Sequence, residues 1–205
     1  MGPFGEDCDE GRAIFPGFMG RRDEALAEIA KIDQLDYGFS SASTESATYY
    51  LLRDYPRLIE ASKRALLLDP KDWSQHYDLG VGYEGVGKAD QVIPEYQKAI
   101  ELAGGSQVAS IAPAHAYAAL GKKIEALKIL RDLERESKKS AASPYTIATI
   151  YAGLGENDKT FEFLEKAYSE KSLYIISSLK SDFLLDSLRP DPRFEDMLRR
   201  MGLTT

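Results

Sequence analysis

Residues 73–106 read WSQHYDLGVGYEGVGKADQVIPEYQKAIELAGGS, and this stretch decides the fold. Asp72, just before it, is an N-cap residue type whose side-chain oxygen can satisfy a free N–H of the first turn, so a helix is expected from Trp73 to Val86. Gly87-Lys88 then turns the chain, and Asp90 to Leu102 supplies a second helix closed by Gly104-Gly105. Working outward, the pattern repeats every 34 residues. Tyr49, Tyr83, Tyr117 and Tyr151 share that spacing, as do Ser46, Gly80, Ala114 and Ala148 before them and Arg53, Gly87, Gly121 and Gly155 after them. Ala65, Ala99, Leu133 and Ala167 follow in the same register. Four units are expected at 39–72, 73–106, 107–140 and 141–174, each a pair of helices whose small residues permit close approach. In the last of them Ser143 caps, Pro144 occupies the first turn, Gly155 ends helix one, and Lys159 to Ser169 forms helix two.

The flanks are less regular. Gly20 to Leu26 reads as the turn and second-helix start of a partial unit over 20–38, with Leu26, Ile29, Ala30 and Ile32 on its apolar side. Residues 1–19 contain Gly11, Pro16 and Gly17, which oppose helix, and are expected to be frayed or truncated. After 174 the period is expected to break. Residues 175–205 should then form capping helices: a short one over Leu173–Leu179, a turn or two at Asp182–Leu188, and an amphipathic helix opened by Asp191-Pro192. Its Phe194, Met197, Leu198 and Met201 fall at helical spacing, a stripe able to shield the last apolar face of an array.

Composition narrows the function classes. With 43% hydrophobic and 29% charged residues the 205-residue chain is globular rather than disordered. A net charge of -7 has the wrong sign for a nucleic-acid or anionic-membrane binder, and the basic pairs Arg21-Arg22, Lys122-Lys123 and Arg199-Arg200 are too few for a nucleic-acid track. No stretch approaches the ~18 apolar residues of a membrane helix, and the acidic start at Glu6, Asp7, Asp9 and Glu10 is unlike a signal peptide, so the cytoplasm is the expected compartment. One cysteine, Cys8, and two histidines, His76 and His115, leave no material for a metal centre; no metal, no cofactor and no catalytic residue is expected.

These residues carry a resemblance. Leu79-Gly80, Tyr83, Gly87, Tyr96, Ala99 and Ile100, with Asp69-Pro70 closing the unit before, resemble the tetratricopeptide repeat family, as do Tyr117, Gly121, Ala126 and Leu130 and then Tyr151, Gly155, Leu164 and Ala167. Leu58, Val92 and Thr160 depart from the small residue of helix two, and Pro113 sits inside a first helix. The resemblance implies an all-α fold, a right-handed solenoid whose first helices line a concave groove for a peptide or a partner's helix. In that geometry the groove residues are Ser43, Tyr77, Ile111 and Tyr145, then Ala47, Val81, His115 and Thr149, then Tyr50, Glu84, Ala118 and Ala152. None is Lys, Arg or Asn, the types with which family members grip a peptide's terminal carboxylate. Residues 179–203 are also similar to the ends of repeat arrays in large bacterial proteins, often behind a kinase or DNA-binding module.

Chemistry is thinly represented. Gly80-Val81-Gly82-Tyr83-Glu84-Gly85 spells a GxGxxG string, but a dinucleotide site needs a strand before it and a helix opening at it, and here it falls in mid-helix. Helix pairing accounts for Gly80 and leaves Gly82 and Gly85 unexplained. His115 has no visible nucleophile or orienting partner, and the acidic residues Asp132, Glu134 and Glu136 alternate with Arg131, Arg135 and Lys138 as on a solvated helix face. The expectation is a non-catalytic interaction scaffold for an apolar or amphipathic protein segment, with Tyr77 and Tyr145 as anchors. The alternatives are a regulatory or sensory end-module of a larger bacterial kinase or transcription regulator, homotypic self-association, and a groove filled by the chain's own C-terminal segment.

Overall fold

The computed structural model describes residues 16–17, 21–34, 39–104, 108–136, 143–171, 179–180 and 182–203. Every regular element among them is helical. They fall into two units, residues 1–104 and 105–205.

The first unit holds α1 (Arg22–Gln34), α2 (Phe39–Leu51), α3 (Tyr55–Leu68), α4 (Trp73–Gly85) and α5 (Ala89–Leu102). Each packs against the next in sequence, and α2 also touches α4 across the intervening helix. The second unit holds α6 (Val108–Ala119), α7 (Lys123–Glu136), α8 (Pro144–Gly153), α9 (Asn157–Ser169), a 3-10 helix (Phe183–Leu188) and α10 (Pro192–Arg200). Here α6 packs on α7 and α8, α8 on α9, and the 3-10 helix on α8.

The 34-residue spacing is written in the backbone at the turns. Gly87, Gly121 and Gly155 have φ of 74°, 75° and 71°, and Arg53, at the same register, adopts 56°. This left-handed residue lets the helix end in a Schellman turn. The N–H groups of Asp54, Lys88, Lys122 and Glu156 accordingly donate to the carbonyls of Tyr49, Tyr83, Tyr117 and Tyr151 at 3.0, 2.9, 2.7 and 3.0 Å. Each repeated tyrosine also lies under a cation from the following turn or helix: Arg57, Lys88, Lys122 and Lys159, at 5.1–6.0 Å from the ring centres. The periodic tyrosine thus marks where a helix stops.

Packing follows the same register. Ser46, Ala114 and Ala148 are completely buried, as are Ala65, Ala99 and Ala167, so the small positions are points of helix contact. The three larger residues in helix two, Leu58, Val92 and Thr160, are buried too. Thr160 keeps its hydroxyl satisfied by donating to the carbonyl of Glu156 at 3.1 Å. Pro113 stands inside α6 without ending it.

Helix α2 is unusual, because its sequence FSSASTESATYYL is polar and yet Thr44, Glu45, Ser46 and Thr48 are buried. Thr48 and Ser46 donate to the carbonyls of Thr44 and Ser43 at 2.8 and 2.9 Å, and Glu45 pairs with Arg64 of α3. Asp78 of α4 bonds Ser46, and burial pushes its carboxyl up to about 7, against the lowering effect of that bond and with help from Asp72.

At the N-terminal side Pro16 and Gly17 are buried, the Pro16 carbonyl accepts from the Arg21 N–H at 2.8 Å, and Gly17 lies against Leu51. The rest of the segment 1–19, with Cys8, lies outside the described residues, as does most of the short helix expected over 173–179. At the other end the turn register lapses, Arg189 having an ordinary helical φ of -56° where the earlier units turn left-handed. Packing nevertheless continues. Leu185, 34 residues after Tyr151, is fully buried, and the 3-10 helix meets α8 as α8 meets α6. Phe194 and Met197 of α10 join Leu185 and Leu188 in one core with Phe161 and Leu164. Asp191 caps α10 by accepting from the Arg193 N–H at 3.0 Å.

Candidate functional site

In the first unit four side chains from three helices converge. Tyr96 of α5 crosses α4 at Gly80, where a Cβ would lie 2.4 Å from two of its ring carbons. Having crossed, its hydroxyl donates to the Glu84 carboxylate at 3.1 Å, and its ring lies 5.7 Å from that of Tyr77, tilted by 55°. Tyr96 is 1% exposed. Burial, then the charge of Glu84, holds its hydroxyl well above the ordinary tyrosine value, and Tyr77 and Tyr50 add to the effect. Tyr50 occupies on α2 the register that Glu84 occupies on α4. Tyr50, Tyr77 and Glu84 are each partly exposed, so the cluster has a buried aromatic floor and a polar, aromatic surface.

The other expected residues of this unit play different parts. Ala47 is partly exposed; Ser43 is partly exposed too, but its Oγ is buried without a hydrogen-bond partner among the described residues. Val81 is completely buried and presents no surface.

In the second unit the expected residues are largely covered. Tyr145 is only 6% exposed, and its hydroxyl donates to Asp182 Oδ2 at 2.7 Å. The other carboxylate oxygen of Asp182 accepts the Leu184 N–H at 2.9 Å and starts the 3-10 helix. His115 is 9% exposed, with its ring edge-on to Phe183 at 6.3 Å. Thr149 is 1% exposed and donates to the Thr146 carbonyl at 2.8 Å. Ala118 and Ala152 are buried, while the Ile111 side chain lies outside the described residues. The C-terminal segment therefore sits on Tyr145 and His115, and neither offers a partner an open ring.

The glycine string has a packing explanation at all three positions. A Cβ on Gly82 would meet the Ile59 side chain at 2.6 Å, and one on Gly85 would meet the Tyr55 ring at 2.3 Å. The second and third glycines seat side chains of α3, as the first seats Tyr96 of α5. The helix begins instead at Asp72, which caps the Ser74 N–H at 2.9 Å, so the string does not stand at a helix N-terminus.

The remaining chemistry is tied up in structure. His76 places Nδ1 2.8 Å from Glu95 and Nε2 3.4 Å from the Pro70 carbonyl, joining α4, α5 and the turn before them. No group of three potential metal ligands occurs among the described residues. A surface cleft of about 490 Å³ lies between α9 and α10, lined by Asp158, Phe161, Glu162, Glu165, Pro192, Arg193 and Asp196. Arg193 fills much of its chemistry, lying 4.2 Å above the Phe161 ring and pairing with Asp158 and Asp191 at 2.8 Å. No helix among the described residues is long and apolar enough to cross a membrane. The sequence matches no family model and no curated protein.

Tyr96, Asp78 and Asp182 stand outside the set expected from sequence. Gly80 was the available signal for Tyr96, because a missing side chain at a helix crossing makes room for a large one. Asp182 carried no comparable signal, since the register that located the other residues does not extend to it.

Proposed function

We propose that the chain is a non-catalytic protein-interaction scaffold, a right-handed solenoid of tetratricopeptide type that takes a peptide or a partner's helix on the face formed by its first helices. The observation that carries this reading is the cluster of Tyr50, Tyr77 and Glu84 over buried Tyr96. Tyrosines supply large contact area with few rotatable bonds, and such groups dominate interface energies. The repeated turn geometry supports the family reading, and the absence of lysine, arginine and asparagine from the face disfavours a carboxylate grip. The proposed partner is a protein segment of apolar or amphipathic character, not nucleic acid or membrane, and the proposed compartment is the cytoplasm.

A second reading applies to the other unit, where Asp182 and Phe183 cover Tyr145 and His115. There residues of the chain's own C-terminal segment lie on that face, which favours the first unit as the binding surface. The test is selection of a random displayed-peptide library on the whole chain, followed by binding measurements on the enriched peptides. Tyr77→Ala with unchanged helicity should weaken them by about tenfold or more, the size expected for an aromatic anchor. Failure to enrich any peptide, or full-strength binding by this variant, would refute the reading.

A further inference from the structure

The first-unit cluster has a chemistry more specific than an apolar face. Glu84 is a carboxylate on a partly exposed surface, held from below by the Tyr96 hydroxyl at 3.1 Å, with Tyr77 seven residues earlier on the same helix and Tyr50 at the matching register of α2. Gly80 makes this possible, since any side chain there would occupy the path of Tyr96. A carboxylate fixed by a buried phenol, which also couples to two partly exposed tyrosines, attracts a cation through charge, and the negative faces of those rings add to the attraction. Guanidinium fits best, because its plane stacks on a tyrosine while its fork of N–H donors meets the carboxylate.

We propose that Glu84, Tyr77 and Tyr50 form a recognition site for an arginine side chain of the partner segment. The inference rests on the proposed groove and adds what the groove selects. Charge complementarity favours the same occupant: a chain of net charge -7 draws basic partners and repels acidic ones. Burial enters as well, for Tyr96 keeps its proton at all ordinary pH and so remains a donor to Glu84. The site thus pairs one specific polar contact with surrounding aromatic area, the arrangement by which interfaces obtain selectivity from a small number of groups.

The experiment uses arginine-bearing peptides taken from the random library. Each is compared with a copy in which arginine is replaced by citrulline, its neutral near-isostere, and both are titrated against the wild-type chain and Glu84→Gln. Loss of the charge on either side should weaken binding by about tenfold to a hundredfold, and the two losses should not add, because they remove one contact. A lysine copy should bind less tightly than arginine and more tightly than citrulline. Enriched peptides without a basic residue, or equal binding of the arginine and citrulline copies to wild type, would overturn the site while leaving the groove standing. Independent losses in the cycle would overturn it too. Absence of any enriched peptide would instead defeat the groove reading itself. If Glu84→Gln loses helicity, the citrulline comparison on the wild-type chain decides alone.

Discussion

Asp78→Asn should make the protein more stable at alkaline pH and change little at acid pH. Asp78 bonds Ser46 across the polar contact of α2 and α4, and burial raises its carboxyl from 3.8 to about 7. A folded value above the unfolded one means that the folded state prefers the proton. The resulting stabilisation is complete below 3.8, declines as pH rises, and is gone once the pH has passed about 7. The two values lie about three pH units apart, and at about 1.36 kcal/mol per unit the ionised carboxylate costs the folded state up to about 4 kcal/mol. Asparagine keeps a polar partner for Ser46 Oγ, whose own proton goes to the Ser43 carbonyl, and has no charge to desolvate. Urea unfolding followed by circular dichroism should therefore place the variant about 2–4 kcal/mol above wild type near pH 8, and within about 1 kcal/mol of it near pH 4. A wild-type stability that does not fall between these pH values relative to the variant, or a variant less stable at pH 8, would show that the carboxylate is not desolvated as described. Asp191 runs the other way: its bonds to Arg193 lower its value, so its contribution is lost on acidification rather than on alkalinisation.

Two further outcomes follow from backbone and packing. Arg53→Gly should stabilise by about 0.5–1 kcal/mol, because Arg53 holds at φ 56° the left-handed conformation that glycine adopts at the three equivalent turns; a lower unfolding midpoint in urea would contradict this. Gly80→Ala should destabilise by about 1–2 kcal/mol despite the gain of about 1 kcal/mol in helix propensity, because its Cβ would lie 2.4 Å from the fully buried Tyr96 ring. An alanine variant as stable as wild type would mean that Tyr96 has another way past α4.

Legibility in the sequence differed between the backbone and the side chains. The turn positions were readable because a left-handed residue after a helix is a local demand, visible as glycine in three units out of four. Arg53 follows the same demand without the usual residue, and the 34-residue spacing alone located it. Groove positions were less readable, since the same register put Val81 and Thr149 inside and left Tyr77 and Glu84 partly outside. Whether a first-helix residue is open depends on what arrives from elsewhere in the chain.

The sequence by itself determined where helices start and stop, because caps, prolines and left-handed turns act within a few residues of the chain. It also determined the small contact positions, which recur with the period. Only the tertiary structure decided that Gly82 seats Ile59 and Gly85 seats Tyr55, that Tyr96 passes Gly80 to reach Glu84, and that Asp182 closes over Tyr145. Each of these joins residues from different helices whose meeting is set by packing distance and angle. Periodicity records which face a residue lies on, and not which side chain from a neighbouring helix comes to cover it.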